Sequence, residues 1–208
     1  VKSIKYLLGV ISNMYFPENM TFQYFFFGTY VGYFLQALPI SLLVGMVYYF
    51  IKFRSDKVTP KSKKIISFIF VCYITGLFCL AIGLDLMGII WYKLIYQMNP
   101  GTKVNWLNGD FNFTLDFISN ISEENIGNFL MFLPFGIIYP LTKKDIKWKN
   151  VVLKGVILVL IIEIIEPVFG RAFDVNDIFL NTLGVLVSST IYVVVKDIVK
   201  KCSEKQRI

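Results

Sequence analysis

Histidine is missing from all 208 residues. Triads built on imidazole, histidine-ligated zinc or haem, and imidazole proton relays are therefore excluded. Cysteine is scarce, with only Cys72, Cys79 and Cys202. Cys72 and Cys79 lie on one helical stretch, separated by about 10.5 Å at 1.5 Å rise per residue, too far for a disulfide. Cys202 sits in a basic tail; all three read as inert thiols, with palmitoylation of Cys202 as the alternative. Charge is thin: 17% of residues carry one, against about 25% in an ordinary soluble domain. There is no G-x-S-x-G, no phosphate-binding glycine loop and no H-E-x-x-H, so no motif announces a nucleophile or a bound phosphate. Internal repeats and low-complexity runs are absent too.

What the chain has is apolar surface. Hydrophobic residues make up 56% and aromatics 17%, with a mean hydropathy of +0.63. That composition excludes a disordered chain and argues against a soluble domain. A spanning helix needs about 20 mostly apolar residues. Residues 22–53, 65–90, 151–165 and 178–195 supply such stretches, and residues 126–141 supply a shorter one interrupted by Pro134 and Gly136. Proline is tolerated inside a span where neighbouring helices satisfy the freed backbone groups. Residues 1–20 place Ile4, Leu7, Leu8 and Ile11 at helical spacing before Pro17. That segment is too short to span and lacks a small-residue cleavage site, so it reads as an interfacial helix. The expected fold is all-α: a single domain over residues 1–208, a polytopic membrane bundle of about five transmembrane helices.

Basic residues set its direction. Sixteen of the 21 fall in three stretches: between the first two spans, between the third and fourth, and in the tail 196–208. With five spans all three lie on one side, which the positive-inside rule makes cytoplasmic. The N-terminus and the loop 91–125 then face outward. Ten of the 14 acids fall outside or in the outer half. The net charge of +7 therefore fits an anionic inner leaflet and not a nucleic acid. The bilayer is the expected partner.

Ionisable residues at membrane depth are costly and point to function. Here they cluster in residues 161–184. Four carboxylates (Glu163, Glu166, Asp174 and Asp177) and the guanidinium of Arg171 occur within 15 residues. Glu163 and Glu166 share one helix face. Asp177, Asn181, Gly184 and Ser188 step along one stripe of the next span, where small residues allow close helix contact. Pro167 and Gly170 mark the turn between the two helices. Asn128 in the third span can turn toward the same place, and Asp85 is a further candidate. Blander roles are open as well: Asp174 or Asn176 suits a helix N-cap, Asp177 suits the helix dipole, and Arg171 can pair with Asp174 or Glu166. Chemically, such a cluster can hold a hard divalent cation, accept hydrogen bonds from a sugar, amine or peptide head group, or do acid–base work through one carboxyl.

At these residues the chain resembles the VanZ-like membrane protein family. The pattern I-E-x-x-Q, G-R-S-F-D-x-x-D, N-T-L-G appears here as Ile162-Glu163 with Glu166, Gly170-Arg171-Ala172-Phe173-Asp174 with Asp177, and Asn181-Thr182-Leu183-Gly184. An upstream Asn followed by F-x-P-x-G appears as Asn128, then Phe132, Pro134 and Gly136. Glu166 replaces the family's Gln and Ala172 its Ser, changes that bear on ligand preference or cation affinity. The resemblance implies a bacterial cytoplasmic-membrane protein that lowers susceptibility to lipoglycopeptides such as teicoplanin. In that reading an outward-facing pocket is lined by Glu163, Glu166, Arg171, Asp174, Asp177 and Asn181, with Asn128 behind. Glu163 and Asp177 are expected to carry ligand binding, and Arg171 to fix their geometry or meet a phosphate. Two alternatives stand beside it: an enzyme acting on a lipid-linked cell-envelope substrate, and a transporter of a lipid or cell-wall precursor.

Overall fold

A computed structural model describes residues 31–82, 106–118 and 122–205, together with Leu86, Ile89, Lys93, Leu94 and Gln97. The expected interfacial helix at residues 1–20 and the candidate Asp85 lie outside the described residues. Five α-helices follow in order: α1 (Val31–Phe53), α2 (Lys61–Ile82), α3 (Glu123–Thr142), α4 (Trp148–Ile165) and α5 (Val175–Lys205). Four of them, α1, α2, α3 and α5, are long and apolar enough to cross a membrane. The remaining helix, α4, has 18 residues and carries Lys149 and Lys154 near its start and Glu163 near its end.

Helix surfaces remain apolar outward as well as inward, as a bilayer requires. Ile51, Ile164 and Val194 are all exposed. Inside, Leu77, Phe132, Val159, Ile162 and Val185 form the centre of the core. Phe70, Phe135 and Tyr139 pack beside it, with ring centroids 5.1–5.9 Å apart. Helix α3 packs most extensively on α5, and α1 packs on α2.

The α3–α5 seam is close because its residues are small. A Cβ on Gly136 would lie 2.1 Å from Ser188 Oγ and 2.5 Å from the Ser189 nitrogen. One on Gly184 would lie 2.4 Å from the Phe129 carbonyl oxygen. The sequence stripe through Gly184 and Ser188 is thus the contact face. Helix α3 runs unbroken through Pro134 and Pro140. In the turn that Pro134 disturbs, the Tyr73 hydroxyl of α2 donates to the Met131 carbonyl at 2.9 Å, an outside hydrogen bond of the kind that makes such prolines tolerable.

The two ends of the bundle differ. The α1–α2 and α3–α4 loops and the tail of α5 share one end, which holds the lysines. Lys63 Nζ donates to the Lys143 carbonyl there at 3.4 Å, joining the two loops. The opposite end holds the α4–α5 turn and the segment 106–118, which lies over it like a strap. Two residues of the strap, Phe111 and Asn112 (β1), pair in parallel with Phe173 and Asp174 (β2).

Candidate functional site

Pro167 cannot continue the α4 hydrogen-bond ladder, and the chain tightens into a 3₁₀ turn, Glu166–Phe169. Gly170 closes that turn with φ 78°, a left-handed conformation that favours glycine. Its amide donates to the Glu166 and Pro167 carbonyls. The Arg171 amide also donates to the Glu166 carbonyl, at 3.2 Å. The chain is thereby turned back so that Asp174 stands at the head of α5.

Asp174 fills the N-cap role that its residue type predicts. Its Oδ1 accepts from the Asn176 amide at 2.7 Å, and its Oδ2 accepts from Asn112 Nδ2 at 3.0 Å. The Asp174 amide itself donates to Glu163 Oε2 at 3.4 Å. Arg171 faces Glu166 and not Asp174: its Nε lies 3.8 Å from Glu166 Oε2. Its Nη1 donates to the Leu80 carbonyl of α2 at 3.3 Å. From α3, Asn128 Nδ2 donates to Asp177 Oδ1. The polar residues of three sequence regions, around 128, 163–166 and 171–177, are therefore brought together as the spacing predicts.

Their exposure is uneven. Glu163 and Glu166 are buried, at 1% and 5% exposure, while Arg171, Asp174, Asp177 and Asn128 are half-buried. Glu163, expected to meet the ligand, lies beneath the cap residue and accepts from its amide. Asn181 is buried at 2%, and its Oδ1 has no hydrogen-bond partner among the described residues. Charge at this depth costs free energy, and the one guanidinium among these four carboxylates pairs with Glu166. Among the described residues no group of three or more carboxylate or cysteine side chains is arranged to hold a metal ion.

Two features were not read from the sequence. The first is the strap. Asn176, considered only as a cap, is its clamp. Its Oδ1 accepts from the Asp116 and Phe117 amides at 3.1 and 3.2 Å. Its Nδ2 donates to the Thr114 carbonyl at 3.0 Å and to Asp116 Oδ1 at 2.9 Å. Gly109 lets the strap backbone lie directly on the turn, since a Cβ there would sit 2.1 Å from the Arg171 carbonyl oxygen. The second is Leu80, whose carbonyl holds Arg171. A backbone acceptor has no sequence signature, whereas the polar run Asn112, Thr114 and Asp116 was visible.

Five packed helices, four with the length and hydropathy of spans and with ionisable groups folded into one end, define a polytopic α-helical membrane protein. Sequence comparison gives the narrower assignment. A family model described as VanZ/LLP1 matches residues 40–196, and the chain belongs to the VanZ/LLP1 family. Among curated proteins and solved structures, no match was found.

Proposed function

We propose that this VanZ-like protein lowers bacterial susceptibility to lipoglycopeptides such as teicoplanin from the cytoplasmic membrane, with the acidic end facing outward. The observation that carries this reading is the juxtaposition at that end of two buried glutamates with a half-buried rim of Arg171, Asp174, Asp177 and Asn128. Acceptor oxygens on the rim suit an amine- or hydroxyl-rich head group. Glu163 and Glu166 hold the rim in place through the Asp174 amide and Arg171. The lysine-rich opposite end supports this orientation through the positive-inside rule.

The test is teicoplanin susceptibility, with surface binding of a labelled analogue, in a susceptible Gram-positive host. Wild type, Glu163→Gln and Asp177→Asn are expressed at matched levels. Protection by wild type and its loss in both variants is the expected result. Protection that survives both substitutions would sink the acidic-site reading. No protection by wild type would remove the drug role.

A further inference from the structure

A second site lies beside the acidic end. Between α1, α2 and α3 is a cavity of about 480 Å³. Its walls are almost wholly apolar, including Leu38, Leu77, Leu130 and Pro134. Phe34 and Ile69 also line it and are exposed on the bundle surface, so it is reached sideways from the hydrocarbon. Among the polar groups of its walls the Tyr73 hydroxyl already donates to the Met131 carbonyl, and two other polar features lie along the cavity. At the rim, Leu80 lines the cavity and its carbonyl accepts from Arg171 Nη1. The Arg171 side chain is 36% exposed. Deeper, Ser41 is among the lining residues; it is buried at 4%, and its hydroxyl, closed off beside Gly76, has no hydrogen-bond partner among the described residues.

The spacing of these features matches one kind of molecule. Ser41 Oγ lies 3.5 Å from where a Cβ on Gly76 would be, which puts Ser41 level with Gly76. Gly76 is four residues below Leu80 on α2, or about 6 Å at 1.5 Å per residue. The lining continues along α2 to Ile69, about 16 Å below Leu80 by the same rise. That is close to half of a hydrocarbon core about 30 Å thick. A cation at the rim, a free hydroxyl one turn below and an apolar slot one leaflet deep follow the order of phosphate, ester and hydrocarbon in a phospholipid. A buried serine hydroxyl in a helix commonly donates to a carbonyl one turn back. One that does not is matched by an acceptor such as an ester carbonyl.

We infer that this cavity binds one acyl chain of an anionic phospholipid, with its ester at Ser41 and its phosphate at Arg171. The inference does not depend on the drug reading, and its test contains no antibiotic. Purified protein is reconstituted in phosphatidylcholine–phosphatidylglycerol vesicles containing phosphatidylglycerol with a photoreactive diazirine on one acyl chain. After irradiation, adducts are mapped by mass spectrometry. They are expected to concentrate on the cavity-lining residues of α1, α2 and α3 and to fall about tenfold in Gly76→Leu, which fills the slot. Ser41→Leu fills it from the opposite wall and serves as the second variant, with helicity checked by circular dichroism. Arg171→Gln is expected to abolish the preference for the phosphatidylglycerol probe over a phosphatidylcholine probe. Adducts spread equally over the lipid-facing residues of α4 and α5, or unchanged by both filling variants, would overturn the inference. So would cross-links showing the slot covered by a second copy or by residues 1–30 of the chain.

Discussion

The two ends of the bundle use polar residues in opposite ways. At the lysine-rich end the charges stand in water and, apart from the Lys63–Lys143 contact between the two loops, the contacts are local. Asp56, in the α1–α2 loop, accepts from the Val58 and Thr59 amides at 2.9 and 3.0 Å. The Thr59 side-chain hydroxyl, followed by these two amides, holds its carboxyl down to about 2. Lys64 Nζ donates to the Asp56 carbonyl across the same loop. At the acidic end, charges are folded away and the contacts are long-range. Asn176 reaches back to Thr114, Asp116 and Phe117, and Asp174 to Asn112. Polar groups that water reaches contribute little individually, whereas buried ones must be fully partnered or leave an orphan. The acidic end is therefore the part of the fold most sensitive to a single lost partner.

Three substitutions put that contrast under strain. The largest effect is expected from Gly109→Leu, because the new side chain would meet the Arg171 carbonyl and the Pro167 backbone. Seating it costs about 3 kcal/mol, the upper end of ordinary overpacking. Limited proteolysis should then cut within residues 106–118, and continued protection would show that the strap is not seated as described. Next comes Asn176→Ala, which leaves the Asp116 and Phe117 amides and the Thr114 carbonyl without their partner. Thr114 and Asp116 are exposed, so each lost hydrogen bond costs about 0.5–1.5 kcal/mol. Hydrogen exchange at the Asp116 and Phe117 amides should accelerate while the amides of α5 keep their protection. The smallest effect lies at the other end. The Asp56 carboxyl is depressed in the folded chain, so its contribution is complete above the ordinary aspartate value of about 3.9. It is lost only as pH falls through about 2. An NMR titration of Asp56 should show that midpoint, and Thr59→Val should move it upward. A midpoint already at the ordinary value would remove the capping contact.

Much of the architecture was legible because a bilayer imposes one rule on long apolar runs. The expected spans at 126–141 and 151–165 correspond to the helices Glu123–Thr142 and Trp148–Ile165, of which the first has the length and hydropathy of a span and the second, with Lys149, Lys154 and Glu163, does not. Helix ends were harder. The span read as 178–195 belongs to a helix that continues through the lysine-rich tail to Lys205, because lysine is a good helix former outside the hydrocarbon as well. At the acidic end, the pairing of Glu166 with Arg171, the capping by Asp174 and the approach of Asn128 all follow from local spacing or from the need to partner a buried polar group. Hydropathy does not reveal the depth of each carboxylate. Glu163 and Asp177 were both expected to carry ligand binding, yet one is closed off by the turn and the other stands half-buried at its edge. The clamp at Asn176 was hidden for a different reason. Its partners lie about 60 residues upstream, beyond any local periodicity.

The β1–β2 pairing has a consequence for biogenesis. Asn112 leaves the ribosome 62 residues before its partner Asp174. At about 5–20 residues per second, the strap waits roughly 3–12 s for the turn that receives it. In that interval two further helices must be made and inserted. The closing of the acidic end thus has to follow the synthesis of α3 and α4, and nascent chains halted before α5 would carry the strap without its clamp.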